Sequence, residues 1–416
     1  MSGTKTKNIG AVGLIFLTWL VYSTSYLGKV NYSANITQIV DFYGTTKAEA
    51  GLVPTFFFFA YGIGQVVNGM LCKRYNIKWM VFASLGLSGV INLAVAVCTD
   101  FSIVKWLWMI NGFLLSVLWP TLIRLLSETL PSQYLGKSSV VMGTTVAVGT
   151  LAIYALSSLY VALGHFKLAF YTAAFVAIFV SLIWLTLFDR IVSATKEQAA
   201  EREFSSNVEK SVSKKSCEKS VLGIICVLCF TAIGVNLIKD GLTTWIPSIL
   251  KEEGAVPDYL SILLALSLPI VAIFGNAFAL AVHNKIPSYI KHCFTVFALM
   301  AVIILLVIGV MPIGVISVML IGLVVVNLLA SSLNSLITSI FPMFMRKTVN
   351  SGKFAGILNG FCYLGSTVSS YGLGTVADGY GWSAVFWCML GACVLIAVVC
   401  GGYSVLERYM GGKRNG

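Results

Sequence analysis

The chain has 416 residues, of which 58% are hydrophobic and 11% are charged, and its formal net charge is +12. A soluble domain carries about 25% charged residues, so this composition excludes an ordinary soluble protein and predicts an integral membrane protein. The mean hydropathy of +0.89 agrees with that prediction. The positive charge does not indicate nucleic-acid binding, because the lysine and arginine residues cluster in the segments that connect the apolar stretches.

Apolar segments recur along the whole chain. Each is roughly 20 residues or longer, the length of helix that crosses about 30 Å of hydrocarbon. Runs such as ISVMLIGLVVV do not alternate as the strands of an outer-membrane barrel would, so an all-α fold is predicted. In chain order, the twelve predicted spans cover residues 10–40, 50–71, 79–98, 104–126, 138–161, 168–188, 220–250, 259–282, 289–310, 313–343, 354–376 and 382–406.

A polar stretch of mixed charge, residues 189–219, divides the chain into two halves with six predicted spans each. We therefore predict an N-terminal six-helix bundle over 1–188, a cytoplasmic linker, and a C-terminal six-helix bundle over 220–416. Two such halves are typical of parallel repeats related by an axis along the membrane normal, with the binding site near mid-membrane between them.

The lysine and arginine residues are distributed unevenly between the two ends of the predicted spans. With the N-terminus inside the cell, 22 of the 28 fall in cytoplasmic segments and four in external ones. This asymmetry predicts a multi-pass protein of the cell (inner) membrane with both termini cytoplasmic. We predict that the first span stays in the mature protein and is not a cleaved signal peptide.

Three ionisable residues lie well inside predicted spans. Lys29 and Lys239 each lie 19 residues into the first span of their half, and Asp240 follows Lys239 directly. Because ionisable groups within a span usually face water or a partner, the two lysines predict a pair of cations facing a central cavity. The alternative is that each lysine snorkels to the lipid interface. Asp240 is either an ion-pair or hydrogen-bond partner or a proton carrier.

Polar residues recur near these lysines at the spacing of one helix face. Four such stripes lie on the first two spans of the first half and on the first and fifth spans of the second half, which favours a polar pathway over interhelical contacts alone. They are Tyr22, Tyr26, Lys29 and Ser33; Tyr61, Gln65 and Asn68; Asn236, Lys239, Asp240 and Thr243; and Asn359, Tyr363, Ser366 and Ser370.

Several segments resemble the organophosphate:phosphate antiporters, a branch of the major facilitator superfamily that contains glycerol-3-phosphate and hexose-phosphate transporters. They are SYLGKVNY (25–32), NGFLLSVLWPTLIRLL (111–126), IKDGLTTWIPSILKE (238–252), and GFCYLGS with GTVADGYGW (360–366 and 374–382). The resemblance implies twelve helices in two pseudo-symmetric bundles that work by rocking alternating access. It also implies that the family's two phosphate-gripping arginines fall on Lys29 and Lys239, and its pore tyrosines on Tyr22, Tyr26, Tyr61 and Tyr363.

The chain departs from this family at chemically important positions. Both family arginines are lysines, the lysine expected in the second span is Gln65, and the histidine expected near Thr145 is absent. A guanidinium binds phosphate through two parallel donors, whereas an ammonium is a point charge, so a monoanion suits this set better than a phosphate dianion.

The predicted cytoplasmic gate also departs from the family. In the loop after the second span, Lys73 occupies a position where an aspartate is usual, with Arg74 beside it. Arg124, at the cytoplasmic end of the fourth span, is read as a gate or headgroup contact. These three residues are the predicted gating and loop residues.

We therefore predict a secondary transporter of a small organic anion, such as an organophosphate, a sugar acid or a sulfonate. Three mechanisms stay open: antiport against inorganic phosphate, proton-coupled symport through Asp240, and ligand sensing without transport. Cysteine and histidine spacing gives no metal-ligand set, and no GxxxxGK[ST] loop is present. The expected protein is thus not an enzyme, has no metal or cofactor, and is a monomer whose partners are the anion and the lipid bilayer.

Overall fold

The computed structural model describes residues 3–71, 74, 76–203, 219–341 and 351–412. Lys73 and residues 204–218 of the predicted linker lie outside the described residues. Within the described ranges the regular elements are helices, in agreement with the predicted all-α class.

The helices of the first half of the chain begin before the first predicted span and continue past the sixth. They are α1 Gly3–Ala34, α2 Ile36–Tyr43, α3 Lys47–Leu71, α4 Ile77–Val97, α5 Phe101–Ser116, α6 Leu118–Thr129, α7 Ser132–Gly143, α8 Thr145–Ala162 and α9 Leu168–Glu203. Local sequence signals begin several of them: the Asn76 side chain accepts from the N–H groups of Lys78 and Trp79 and caps α4.

The second half contains shorter helices as well as two long ones. They are α10 Lys219–Gly254, α11 Asp258–Ala265, α12 Ser267–Ala272, α13 Gly275–Lys285, α14 Tyr289–Val310, α15 Ile316–Ser335 and α16 Ser351–Gly412. A turn of π-helix, Leu336–Ile340, directly follows α15. At Gly381, φ is 76° and ψ is 177°, so α16 comprises two helices joined at a glycine in a backbone conformation that disfavours other residues.

The predicted number of spans is confirmed within the described residues. Ten helical segments are long and apolar enough to cross a membrane, and α11–α12 with α13, bent by 43°, adds an eleventh if the bent pair is counted as one span. One of the ten, Ile357–Leu406, contains the Gly381 break and therefore provides two spans. This makes twelve, with six before residue 204 and six after residue 218. Exposed apolar side chains such as Phe179 and Leu306 are suited to contact lipid.

The first span differs from its predicted extent. The sequence predicts one helix over 10–40, whereas α1 ends at Ala34 and α2 begins at Ile36, with Asn35 between them at φ −111° and ψ 18°. The break coincides with a change in packing partner. After it, Thr37 on α2 hydrogen-bonds to Ser248 on α10 at 3.1 Å. Lys29 consequently lies in the last two turns of α1.

The polar stretch that begins at residue 189 is helical for its first half. Helix α9 continues without a break from the sixth span to Glu203. Lys78 and Asp189 form an ion pair that joins α4 to this helix. The division of the chain into halves at 189–219 stays a prediction.

The described helices form two compact units that do not coincide with the two halves of the sequence. The first unit contains α1, α3 from Ala60 onwards, and α4 to α9, and the second contains α2, α3 up to Phe59, and α10 to α16. The boundary falls inside α3, a single helix. Residues 35–59 belong to the second unit because their side chains and backbone bond to α10 and α16.

Small residues allow the helices of the first unit to approach closely. A Cβ at Gly149 on α8 would lie 2.3 Å from the carbonyl oxygen of Ser23 on α1, and one at Gly89 on α4 would lie 2.9 Å from the carbonyl oxygen of Ala174 on α9. Close approach at small residues is typical of packing between membrane helices, where there is little hydrophobic driving force. It places α8 against the face of α1 that carries Tyr26.

In the second unit, the start of α3 is held by groups from α10 and α16. The Asp378 carboxylate accepts hydrogen bonds from the backbone N–H groups of Lys47 and Ala48, at 3.1 and 2.6 Å. The Lys47 ammonium lies 3.1 Å from the Glu252 carboxylate, which also accepts from the Trp382 indole at 3.0 Å. A carboxylate at a helix N-terminus satisfies unpaired donors and complements the helix dipole.

Candidate functional site

The predicted site residues of the first unit are grouped around Lys29. Its ammonium lies 4.9 Å from the ring centroid of Tyr26 on the same helix and 4.2 Å from that of Tyr61 on α3. Both distances are in the range of cation–π contacts. The structure therefore brings Lys29, Tyr26 and Tyr61 together, and it gives the Lys29 charge an aromatic environment within the unit.

More aromatic rings continue from this group along α1. The Tyr22 ring lies 5.6 Å from that of Tyr26 in an edge-on arrangement, and 4.7 Å from the ring of Trp119 on α6. Tyr22 is buried, and Gln65 is half-buried one turn after Tyr61 on α3. Trp119 is an addition to the predicted tyrosines, and it lies in the segment 111–126 that resembles the antiporter family.

The predicted site residues of the second unit are grouped around Asp240. The Lys239 ammonium lies 3.0 Å from one Asp240 oxygen, and the hydroxyl of Ser366 on α16 donates a hydrogen bond to the other. The side chains of Lys239 and Asp240 are 26% and 16% exposed, so the pair is half-buried. Lys239 and Asp240 are consecutive in sequence, yet they form an ion pair.

An amide and thiol group lies next to this pair. Asn236 donates to the side-chain oxygen of Asn334 on α15 at 3.2 Å, and the Cys362 thiol on α16 donates to the same oxygen at 3.5 Å. Asn334 precedes the π-helical turn, and such turns are frequent at functional sites. Asn334 and Cys362 were not among the predicted site residues. The signal for Asn334 was a polar amide within the long apolar run of the tenth span.

Tyr363 directly follows Cys362 on α16 and stacks on another aromatic residue. Its ring centroid is 6.4 Å from that of Phe58 on α3, with an angle of 27° between the planes. One turn earlier on α3 and one turn later on α16, the Thr55 hydroxyl donates to the carbonyl of Thr367 at 3.0 Å. The first part of α3 therefore packs against the face of α16 that carries the predicted tyrosine.

Two of the three predicted gating residues are among the described residues. Arg124 on α6 donates to the Glu128 carboxylate at 2.8 Å, an ion pair between residues four apart on one helix. Arg74 is exposed. Lys73 lies outside the described residues. Among the described residues, no group of three or more histidine, cysteine or acidic side chains has the arrangement of a metal site.

The sequence profile of the Major Facilitator Superfamily matches residues 18–352. The chain belongs to this superfamily. Among solved structures, a bacterial homologue of the human lysosomal transporter Spinster, in an inward-facing and occupied conformation, superposes with a TM-score of 0.74. It covers 96% of this chain and 97% of its own at 11% identity, so the similarity shows a shared fold alone.

Two curated relatives illustrate the range of named substrates. A protein of Escherichia coli strain K12 named 3-(3-hydroxy-phenyl)propionate transporter is 25% identical over 262 residues. That match covers 62% of this chain and 60% of the relative. A protein of Chlamydia trachomatis serovar D named "Probable hexose phosphate transport protein" is 21% identical over 414 residues, 93% of this chain and 89% of the relative. The second relative confirms the resemblance to the organophosphate branch.

Proposed function

We propose that the protein is a secondary active transporter of small organic anions in the inner membrane, with Lys29 and Lys239 as the cations that bind the substrate. The observation that carries this proposal is that each lysine is held inside the helices of its own unit. Lys29 lies against the rings of Tyr26 and Tyr61, and Lys239 lies against Asp240. An ionisable group kept within a membrane span is costly and usually serves a pathway.

The proposed substrate is an anion of low charge. Two lysines and one aspartate give the predicted binding residues a formal charge of +1. Ammonium groups lack the double donor of arginine that matches a phosphate dianion. Aromatic rings beside Lys29 suit a substrate with an apolar or flat body. A carboxylate, a sulfonate, a sugar acid or a singly charged organophosphate is therefore favoured over a dianionic phosphate ester.

The proposed mechanism is exchange of one anion for another. Asp240 already has a cation and a hydroxyl as partners, which supports a role in reducing the positive charge of the site. Under this proposal the carrier crosses the membrane with an anion bound in each direction, and inorganic phosphate is one candidate counter-substrate. Proton-coupled symport through Asp240 is the alternative for the same residues.

Uptake into proteoliposomes tests the proposal. Labelled inorganic phosphate, glycerol-3-phosphate, glucose-6-phosphate, 3-(3-hydroxyphenyl)propionate and an alkyl sulfonate serve as probes, each with and without unlabelled anion inside. We expect uptake of at least one probe that requires internal anion and persists without a pH gradient. Uptake that requires the gradient and no internal anion would favour symport. Binding of a probe with no uptake under either condition would indicate a sensor.

A further inference from the structure

Directly before Lys29, two buried asparagines from other helices bind the backbone of α1, and a third asparagine on α1 binds one of them. The carbonyl oxygen of Gly28 accepts hydrogen bonds from the side-chain amides of Asn111 on α5, at 2.8 Å, and of Asn92 on α4, at 3.3 Å. Asn31, three residues later on α1, donates to the Asn92 oxygen at 2.8 Å. We refer to Asn31, Asn92 and Asn111 as the amide clamp.

Every member of the amide clamp both donates and accepts. The Asn111 oxygen accepts from the Ser88 hydroxyl at 2.6 Å, and the Asn31 oxygen accepts from the backbone N–H of Tyr32 at 3.0 Å. All three asparagines have no exposed surface. A buried polar network is costly unless it is satisfied, and when satisfied it fixes one arrangement of the helices that share it.

Gly28 is required for this arrangement. A Cβ at this position would lie 2.7 Å from the amide nitrogen of Asn92, closer than real Cβ contacts allow. The missing side chain therefore lets the amides reach the carbonyl group. Packing of the helices does not by itself require buried amides that bind the Gly28 carbonyl. Their presence directly before Lys29 therefore indicates a role in positioning that residue.

Helix α5 also holds the helix that carries Tyr61. Asn68 on α3 donates to the Ser116 hydroxyl on α5 at 2.9 Å, and Gly64 allows the two helices to approach at the same serine. Tyr61 lies one turn before Gly64 on the same helix. Helix α5 thus binds α1 beside Lys29 and α3 beside Tyr61, the two residues whose ammonium and ring lie 4.2 Å apart.

We propose that the amide clamp positions the Lys29 ammonium against the tyrosine rings, and that Asn111 is the positioning residue that sets the affinity for the anion. This inference rests on the proposed function, in which Lys29 binds the substrate. If the amide clamp is lost, the α1 backbone moves at Gly28 and the Lys29 side chain moves with it. The Lys29 charge is then displaced but not removed.

A spectroscopic measurement tests the positioning without any ligand. Reductive methylation with ¹³C-formaldehyde keeps the lysine charge and gives each lysine an NMR signal, and Lys29→Arg assigns the one from Lys29. Two tyrosine rings shift that signal upfield. We expect Asn111→Leu to reduce this upfield shift. Ser88→Ala, which removes only the hydroxyl that orients Asn111, is the mild variant for use if Asn111→Leu does not fold.

A matched control exists in the second unit. Asn327 on α15 is also buried and donates to a carbonyl, that of Leu268, at 2.9 Å. Asn327→Leu removes the same kind of hydrogen bond and should leave the Lys29 signal unchanged. A Lys29 signal that is unaffected by Asn111→Leu and Ser88→Ala, or that moves equally in Asn327→Leu, would overturn the proposal.

Affinity for the best probe of the uptake panel gives the second readout. We expect about tenfold weaker binding in Asn111→Leu, because the displaced ammonium loses part of its charge-assisted contact with the probe, and no change in Asn327→Leu. The two proposals fail in different ways. If Lys29→Gln binds the probe normally while the Lys29 signal still moves in Asn111→Leu, the positioning stands and the anion-binding role of Lys29 is wrong.

Discussion

The Lys239 ammonium lies 3.0 Å from the Asp240 carboxylate, although the two residues are neighbours on α10. Adjacent side chains diverge by about 100° around a helix, so the long lysine stem must bend towards the shorter acid. The Ser366 hydroxyl on α16 binds the other carboxylate oxygen and fixes the acid between the two helices. Under the proposed function, an arriving anion would compete with Asp240 for Lys239.

Replacement of Asp240 by asparagine separates its two possible roles. If Asp240 only reduces the positive charge of the site, the asparagine variant should keep gradient-independent exchange and shift its preference towards more highly charged anions. We expect this outcome, measured as the ratio of phosphate-ester to carboxylate uptake in proteoliposomes. Ser366→Ala, which removes the neighbouring hydroxyl but no charge, is the control and should leave the ratio nearly unchanged.

The proton-coupling role of Asp240 predicts a different result for the asparagine variant. A variant that still exchanges substrate for substrate, keeps its selectivity, and loses accumulation driven by a pH gradient would assign Asp240 to proton coupling.

Neutralisation of either lysine that is proposed to bind the anion should strongly weaken binding. We expect Lys29→Gln and Lys239→Gln each to lower the affinity for the best probe at least about tenfold, because a charge-assisted contact is lost, with little change in melting temperature. Binding is measured by thermal shift over a range of probe concentrations, since a ligand at about 100 times its Kd stabilises the folded state by about 2.7 kcal/mol.

Lysines of the same units outside the predicted site provide the controls. Lys105 lies near the start of α5 beside the Trp106 ring, and Lys251 pairs with Asp41 and Asp258 near the end of α10. Lys105→Gln and Lys251→Gln should retain the affinity of the unmodified protein. Equal losses in the control and site variants would show that the effect is one of overall charge.

A methyl group at Gly149 should disturb Tyr26. The added Cβ would lie 2.3 Å from the Ser23 carbonyl oxygen and 2.6 Å from the Tyr26 Cβ, so α1 and α8 must move apart. We expect Gly149→Ala to destabilise the protein by about 1–3 kcal/mol, as overpacking does, and to weaken anion binding. Thermal melting and probe titration measure the two effects.

Gly143 on α7 is the matched control, because a Cβ placed there would meet no heavy atom within 4 Å outside its own stretch of helix. Gly143→Ala should leave stability unchanged or raise it slightly, since the helix propensity of alanine exceeds that of glycine by about 1 kcal/mol. Similar melting temperatures for the two variants would contradict the close approach of α1 and α8.

Removal of the carboxylate at Asp378 should destabilise the start of α3. The Asp378 carboxylate accepts from two backbone N–H groups there, one on each oxygen. Asp378→Asn keeps one acceptor and turns the other into a donor, so it should cost about 1 kcal/mol, the usual effect of one lost hydrogen bond. Asp189→Asn, which removes an acid with a 71% exposed side chain from its pair with Lys78, should cost less. Thermal melting in one detergent compares them, and an equal loss would argue against the cap.

The predicted topology can be tested by labelling single cysteines in a cysteine-free background. Ser205→Cys, in the predicted cytoplasmic linker, should react with a membrane-impermeant maleimide only after the membrane is opened. His165→Cys, at the exposed turn between α8 and α9, should react from outside. External labelling at position 205 would mean that the positive-inside prediction is wrong.

The sequence by itself determined the class of the protein. Twelve apolar segments fix a helical membrane fold, because backbone polar groups in lipid must be satisfied within each helix. The symmetric lysines and the polar stripes also predicted a site around Lys29 and Lys239, since a charge within a span is costly and usually has a partner. Those signals are local and can be read residue by residue.

Only the tertiary structure decided which groups contact Lys29, Lys239 and Asp240. The ion pair of Lys239 with Asp240, the hydroxyl that Ser366 adds to it and the tyrosine rings around Lys29 depend on rotamers and on helices far apart in sequence. The amide clamp joins Gly28 to Asn111, 83 residues later, and periodicity carries no information about such a contact. The break at Asn35 likewise follows from the packing of α2 on α10, because a helix ends where tertiary contacts outweigh its own propensity.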